Sequence, residues 1–144
     1  MFSRVIMASA IALSFGFGLS AAHAGGNTAD VEQYGYKNQA AGGQSGHKNR
    51  MKIFQNGSRN TAISTQNGSR NRAVVGQQGR GNYADTHQNG RRNVVGVGQF
   101  GSGHTAITTQ DGSGNAIGII QGGRNNSAKA TQYGKGNVSV IVQD

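Results

Sequence analysis

The most regularly spaced polar groups in this chain are side-chain amides. Glutamine recurs every eleven residues at eleven successive positions, without an insertion or a deletion. These glutamines are Gln33, Gln44, Gln55, Gln66, Gln77, Gln88, Gln99, Gln110, Gln121, Gln132 and Gln143. A carboxamide carries donors and acceptors together, so copies that lie above one another can bond into a continuous ladder. The spacing therefore predicts stacked amide ladders.

Asparagine recurs in a column of its own, within the unit Q-x-G-x-x-N. Glycine follows two residues after each of the first ten glutamines, and asparagine follows five residues after nine of them. The asparagines are Asn38, Asn49, Asn60, Asn71, Asn82, Asn93, Asn115, Asn126 and Asn137, and His104 takes the remaining position. We expect these asparagines, like the glutamines, to stack into an amide ladder, with His104 replacing asparagine at its position. The alternative is a pH-sensitive defect, since imidazole changes charge near neutral pH.

The titratable residues do not form a pattern that catalysis or metal binding requires. The acidic residues are Asp30, Glu32, Asp85, Asp111 and Asp144. The repeat places no two of them as a pair for acid–base work. The histidines fall at different positions of the unit, so they do not stack as metal ligands. Cysteine is absent, which excludes a thiolate nucleophile or thiolate metal site. The sequence predicts no enzyme, no cofactor and no metal site.

Basic residues cluster in the segments between a glutamine and the following asparagine. The candidates for binding a polyanion are Lys48, Arg59, Arg70, Arg80, Arg91, Arg92 and Arg124. The formal net charge of the chain is +9. At loop tips these cations would form stripes that attract anionic matrix polymers such as DNA. The alternative is that they only keep the molecule solvated and prevent sideways aggregation.

The elements that position these residues follow from a second, shorter period. Between each asparagine and the next glutamine, alternate residues are apolar or small, as in Asn71, Ala73, Val75 and Gln77. Alternation with period two over seven residues indicates a half-buried strand. The remaining four residues contain glycine and predict a tight turn, in which that glycine takes a conformation unfavourable for other residues. The chain also contains no proline, which suits a structure built from hydrogen-bonded ladders.

The two inward positions of each strand alternate in size from one unit to the next. Small pairs such as Ala62 and Ser64 follow large pairs such as Met51 and Ile53. The complete rung of the structure is therefore two units long and consists of strand, turn, strand and turn. We predict an all-β fold, a two-sheet β-solenoid with amyloid-like cross-β stacking, in which six bulky strands face five small ones. The large inward aliphatic residues are Val31, Met51, Ile53, Val75, Val95, Val97, Ile117, Ile119 and Ile141.

The chain divides into two segments. Residues 1–24 resemble a secretory signal peptide: Arg4 precedes an apolar stretch, and Ala22-His23-Ala24 offers a cleavage site. The alternative, a transmembrane anchor, requires a longer apolar stretch. Residues 25–144 form the predicted repeat domain of eleven strands, which we expect to be secreted. The repeats show no polar cap, and open sheet edges favour the addition of another copy. The domain is therefore expected to polymerise with itself.

The unit resembles the repeat of the curlin family. Gln33-Gly35-Asn38-Ala40-Gln44 is a full copy of the curlin pattern, and the similarity covers nearly all of residues 25–144. The resemblance implies a subunit of curli, the extracellular amyloid fibres of bacterial biofilms, which act in adhesion and cell aggregation. It further implies four kinds of partner: other copies of the chain, a nucleating or major curlin homologue, a secretion channel and a periplasmic chaperone.

The resemblance leaves some alternatives open. It does not decide between the major subunit and the nucleator, and the targeting segment that curlins typically carry after the signal peptide is missing here. A monomeric secreted β-solenoid that binds polyanions is the main non-amyloid alternative. Ice binding is a weaker one, suggested by the outward rows Thr61-Ile63-Thr65 and Thr105-Ile107-Thr109. The residues between these two rows, which include Asp85 and His87, interrupt the array.

Overall fold

A computed structural model describes residues 25–144, and the predicted signal peptide lies outside them. The described chain consists of strands joined by two-residue corners. The strands are β1 (Thr28–Tyr36), β2 (Gln39–His47), β3 (Arg50–Ser58), β4 (Thr61–Ser69), β5 (Arg72–Arg80), β6 (Tyr83–Arg91), β7 (Val94–Ser102), β8 (Thr105–Ser113), β9 (Ala116–Arg124), β10 (Ser127–Lys135) and β11 (Val138–Gln143). Residues 25–144 contain no helix with the length and apolar character needed to cross a membrane.

The strands form two parallel sheets. The odd-numbered strands make one six-stranded sheet in the order β1-β3-β5-β7-β9-β11, here called the large sheet. The even-numbered strands make a five-stranded sheet, the small sheet. Each strand pairs in register with the strand two units later, so that Gln55, for example, lies beside Gln77. The predicted two-sheet β-solenoid, with a rung of two units, is confirmed.

The core lies between the sheets and follows the predicted alternation of size. Buried aliphatic residues of the large sheet, such as Ile53 and Ile119, face buried small residues such as Ala84 and Ala106. A β-carbon at Gly42 would lie 2.5 Å from the Met51 sulfur, so Met51 fills the space that the glycine leaves. Close packing of this kind needs bulky side chains opposite small ones.

Two of the nine predicted inward aliphatic residues are not fully buried. Val31 on β1 is 48% exposed, and Ile141 on β11 is only partly buried. Both point toward the core, but each belongs to a strand at the end of the described array and has a neighbouring strand on one side only. Their side chains are therefore available for a further layer of packing.

The turns are shorter than the sequence predicted. We expected seven-residue strands and four-residue turns, whereas ten of the strands have nine residues and continue past the glycine. The glycine remains in the ladder with a positive φ, 121° at Gly57, and this bends the strand without breaking its pairing. The chain changes sheets only at the two corner residues after the end of each strand, for example Arg59 and Asn60 after β3.

Candidate functional site

The glutamine side chains form two hydrogen-bonded ladders along the stacking direction. In each sheet the Nε2 of one glutamine donates to the Oε1 of the glutamine one rung later. In the large sheet these distances run from 2.6 Å between Gln33 and Gln55 to 2.9 Å between Gln121 and Gln143. In the small sheet they run from 2.7 Å between Gln44 and Gln66 to 3.1 Å between Gln110 and Gln132. Each ladder therefore has a donor end and an acceptor end.

The same amides also tie the two sheets together. The second N–H of Gln55 donates to the backbone oxygen of Gln39 at 2.9 Å, and that of Gln66 donates to the backbone oxygen of Arg50 at 3.0 Å. In each case the acceptor is the first residue of the preceding strand, in the opposite sheet. Because these glutamines are fully buried, an unpaired amide there would be costly, and each amide has partners in both directions.

The asparagine columns differ from the stacked amide ladder that the sequence suggested. The Oδ1 of Asn49 accepts the backbone N–H of Asn71 at 3.0 Å, instead of bonding its side chain. The Nδ2 of Asn49 donates to the backbone oxygens of Ser45 at 2.8 Å and Gly68 at 3.0 Å. The asparagine side chain is one methylene shorter than glutamine and lies at a corner, where backbone groups are closer than the next amide. Asparagine thus fixes each corner to the following rung.

His104 occupies the asparagine position and is fully buried. Its Nδ1 accepts the backbone N–H of Asn126 at 3.2 Å, as the Oδ1 of asparagine does elsewhere. Its Nε2 lies 3.3 Å from the backbone oxygen of Phe100 and is the ring nitrogen placed to donate. These two contacts together require the neutral ring with its proton on Nε2. The expected substitution in the column is therefore what the structure shows.

The residue before each corner asparagine has a left-handed backbone conformation. Glycine occupies this position at several corners, but basic residues occupy it at five: Lys37, Lys48, Arg59, Arg70 and Arg92, with φ between 55° and 59°. A residue with a β-carbon in this conformation costs about 1 kcal/mol or more relative to glycine. Asparagine and aspartate are the side chains that tolerate it best, and only Asn125 follows that preference. The basic residues therefore occupy a position that backbone geometry does not favour.

Basic side chains at one set of corners line a groove. We call the connections from the large to the small sheet the first corner and those from the small to the large sheet the second corner. At the second corner a groove of about 680 Å³ is lined by Gly26, Thr28, Lys48, Arg50, Arg70, Asn71, Arg72, Arg92 and Val94. Five of these residues are cationic, and no acidic or aromatic side chain lines the groove.

The predicted basic residues are thus divided between the two corners. Lys48, Arg70 and Arg92 come together in the groove. Arg59 lies at the first corner, and Arg80 and Arg124 end β5 and β9 just before it. Arg91 ends β6, before the second corner.

Sequence reasoning missed Arg50 and Arg72, which open β3 and β5 and line the groove beside Lys48 and Arg70. These two arginines are separated by one rung, and that spacing was the signal that could have found them.

The only ion pairs within residues 25–144 lie outside the groove, on the outer face of the large sheet. The Nζ of Lys52 lies 3.2 Å from both Asp30 and Glu32. Hydrogen bonds to Glu32 and Asp30 raise the pKa of Lys52. Both ion pairs are made by Lys52, so the groove cations form no ion pair within residues 25–144.

A family model described as the curlin associated repeat matches the chain four times. The matches cover residues 26–53, 49–79, 79–112 and 105–134, which together span most of the chain. The chain belongs to the curlin family. A search of curated proteins found no match.

The curlin matches coincide with the ladders described above. Together they extend from the corner before β1 to residue 134 in β10, and they include every glutamine from Gln33 to Gln132. Curlins are extracellular subunits of curli, so amyloid and biofilm belong to the family's description. The family and the β-solenoid fold are structural rather than enzymatic. The glutamine ladders and asparagine corners are thus the elements to which a function should be assigned.

Proposed function

We propose that this curlin is a subunit of an extracellular amyloid fibre that grows by end-to-end stacking of β-solenoids. The polarity of the glutamine ladders carries the proposal. At the β1–β2 end of the described array, Gln33 and Gln44 present Oε1 atoms without a ladder donor. At the β10–β11 end, Gln132 and Gln143 have no ladder acceptor within residues 25–144. One end therefore offers acceptors and the other offers donors, so a copy stacked head to tail with its β1 on β11 continues the large-sheet ladder from Gln143 to Gln33.

The open sheet edges support the same arrangement. Strands β1 and β2 at one end, and β10 and β11 at the other, each pair with a single strand of the described chain. An unpaired parallel edge is a template for another chain. The in-register pairing inside the molecule is also the pairing that a cross-β fibre uses between molecules. A second copy therefore extends the large sheet by pairing its β1 with β11, while the small sheet, which has one strand fewer, keeps one rung open at the junction.

The biological setting follows from the family. We propose secretion through the periplasm, with cleavage after residue 24, and service in the biofilm matrix for adhesion and cell aggregation. The proposed partners are other copies of the chain, a nucleating or major curlin homologue, a curli secretion channel and a periplasmic chaperone.

The test follows the chain without residues 1–24 after dilution from denaturant. We expect a lag in amyloid-dye fluorescence, loss of that lag on adding preformed seeds, and a cross-β diffraction pattern with reflections near 4.7 Å and about 10 Å. A chain that remains soluble, folded and monomeric would contradict the proposal.

A monomeric solenoid that binds polyanions is the second candidate function. The groove at the second corner is the observation that favours it, because five cations line it without a neutralising carboxylate. Ice binding receives no such support. The row on β6 with Tyr83, Asp85 and His87 pairs directly with the Thr61-Ile63-Thr65 row on β4 and interrupts any flat array.

A further inference from the structure

We propose that the groove at the second corner binds the phosphate backbone of double-stranded nucleic acid. The groove cations are Lys48, Arg50, Arg70, Arg72 and Arg92. This proposal goes beyond fibre formation, and because three consecutive rungs of one copy build the groove, it does not depend on assembly.

The first argument is the density of charge. Two columns of side chains run along the stacking direction, one at the corner residue and one at the first residue of the next strand. At about 4.8 Å per rung, three rungs occupy about 14 Å of the stack and carry five cations, or one positive charge per about 3 Å. Duplex DNA carries one negative charge per about 1.7 Å of its axis. Duplex DNA therefore holds a dense layer of counterions, and a row of cations such as this one releases those counterions when it neutralises the phosphates.

The second argument is the backbone conformation of the corner residues. Lys48, Arg70 and Arg92 hold left-handed φ values of 56° to 59°, whereas Gly26, Gly114 and Gly136 occupy the same column at the other rungs. Basic residues stand in three consecutive rungs where glycine would be less strained. Strain of this kind concentrates at functional sites. Lys37 and Arg59 hold the same conformation at the first corner, but only at the second corner does it extend over three consecutive rungs beside further cations at the start of the next strands.

The third argument concerns which polyanion fits. Four of the five cations are arginines, whose planar guanidinium group bonds phosphate with two parallel N–H groups. No aromatic side chain lines the groove, so it lacks the platforms on which the bases of a single strand stack. The groove is therefore suited to the backbone of a duplex and is expected to bind without regard to sequence.

The test uses two variants that each lose three positive charges. The groove variant is Lys48→Asn, Arg70→Asn and Arg92→Asn, because Asn125 shows that asparagine is compatible with this corner conformation. The control variant is Arg59→Asn, Arg80→Ser and Arg124→Ser, since Ser58 and Ser102 are native in the column of Arg80 and Arg124. Duplex DNA of about 30 base pairs is titrated with each soluble chain, and with fibres where they form, over a range of salt concentrations.

The salt dependence distinguishes a defined site from general attraction. We expect the plot of log affinity against log salt concentration to become shallower by about 3 units in the groove variant, and by less than about 1 unit in the control. Equal losses in the two variants would overturn the proposal, because net charge alone would explain them. Equally tight, groove-dependent binding of a carboxylated polysaccharide or of single-stranded DNA would also overturn the assignment to duplex nucleic acid. DNA binding by soluble chain that never forms fibres would support the groove and contradict the fibre proposal separately.

Discussion

At the scale of single residues, each interior glutamine amide links three parts of the molecule. Gln77 accepts from Gln55 at 2.7 Å and donates to Gln99 at 2.8 Å and to the backbone oxygen of Thr61 at 2.9 Å. These bonds join three successive rungs and both sheets. Because Gln77 is buried, water cannot replace any of the three partners.

Truncation of one ladder glutamine should therefore destabilise the molecule far more than truncation of its neighbour. We expect Gln77→Ala to lower the free energy of unfolding by at least about 3 kcal/mol, because it leaves three buried polar groups without partners. The matched control is Gln78→Ala on the exposed face of β5, which should change the value by less than about 0.5 kcal/mol. Guanidinium unfolding of both variants measures the difference. Equal effects would show that the ladder does not stabilise the fold.

His104 fills the asparagine position with fewer hydrogen bonds than asparagine makes there. Its ring accepts from the backbone of Asn126 and lies 3.3 Å from the backbone oxygen of Phe100, whereas Asn49 accepts one backbone N–H and donates to two backbone oxygens. We expect His104→Asn to raise the free energy of unfolding by about 1 kcal/mol, because asparagine adds the missing hydrogen bond. The control is His87→Asn at an exposed position of β6, which should change the value by less than about 0.5 kcal/mol. Denaturant unfolding compares the two variants, and a His104→Asn chain no more stable than the parent would refute this assignment.

At the scale of elements, the sequence was sufficient to predict the strands and their arrangement. The eleven-residue period gives the strands, and the alternation of large and small inward residues gives a rung of two units. Strands that lie two units apart therefore share a sheet, because equivalent residues stack on one another. The corners could not be predicted in the same way. The sequence marks Gly57 as a turn residue, but the glycine stays within β3, and the chain turns at Arg59, a residue type uncommon in a left-handed conformation.

The groove illustrates the same limit. Arg50 and Arg72 stand at the first residue of a strand, where alternation indicates only an outward side chain. Lys48 and Arg70 stand at the corner two residues earlier. Whether these two columns face a common space depends on the angle at which the chain changes sheets, and no local pattern encodes that angle. The sequence therefore identified these cations only as separate candidates. The structure was needed to show which of them lie at the same corner.

The two glycine positions around a corner should respond differently to substitution. A β-carbon at Gly79 would collide with the backbone oxygen of Gly101 in the next rung, and its φ of 121° is unfavourable for any other residue. Gly81 has φ 67° and open space around it. We expect Gly79→Ala to cost more than about 3 kcal/mol, and Gly81→Asn to cost less than about 1 kcal/mol. Thermal or denaturant unfolding compares the two, and tolerance of alanine at Gly79 would show that the rungs separate easily.

At the scale of the whole molecule, the described array has unlike ends and a nearly uniform middle. The middle rungs bury their inward side chains completely, whereas the end strands leave Val31 and Ile141 accessible. Both residues point toward the core rather than toward solvent on the outer faces. In a stack of copies, each of these side chains would be covered by the neighbouring molecule. Growth at the ends therefore buries surface that one molecule cannot bury by itself.

A charge placed at one of these inward end positions should block growth more than it affects folding. We expect Val31→Asp to abolish seeding or slow elongation at least tenfold, because stacking would bury an unpaired carboxylate, while the soluble molecule keeps Val31 half exposed. The control is Val142→Asp on β11, an exposed outward position that remains on the surface of a stacked fibre. Elongation from preformed seeds is followed by dye fluorescence, with unfolding curves for both variants to show that the subunits fold. If Val142→Asp blocked elongation as strongly as Val31→Asp, the copies would associate through their outer faces and not through their ends.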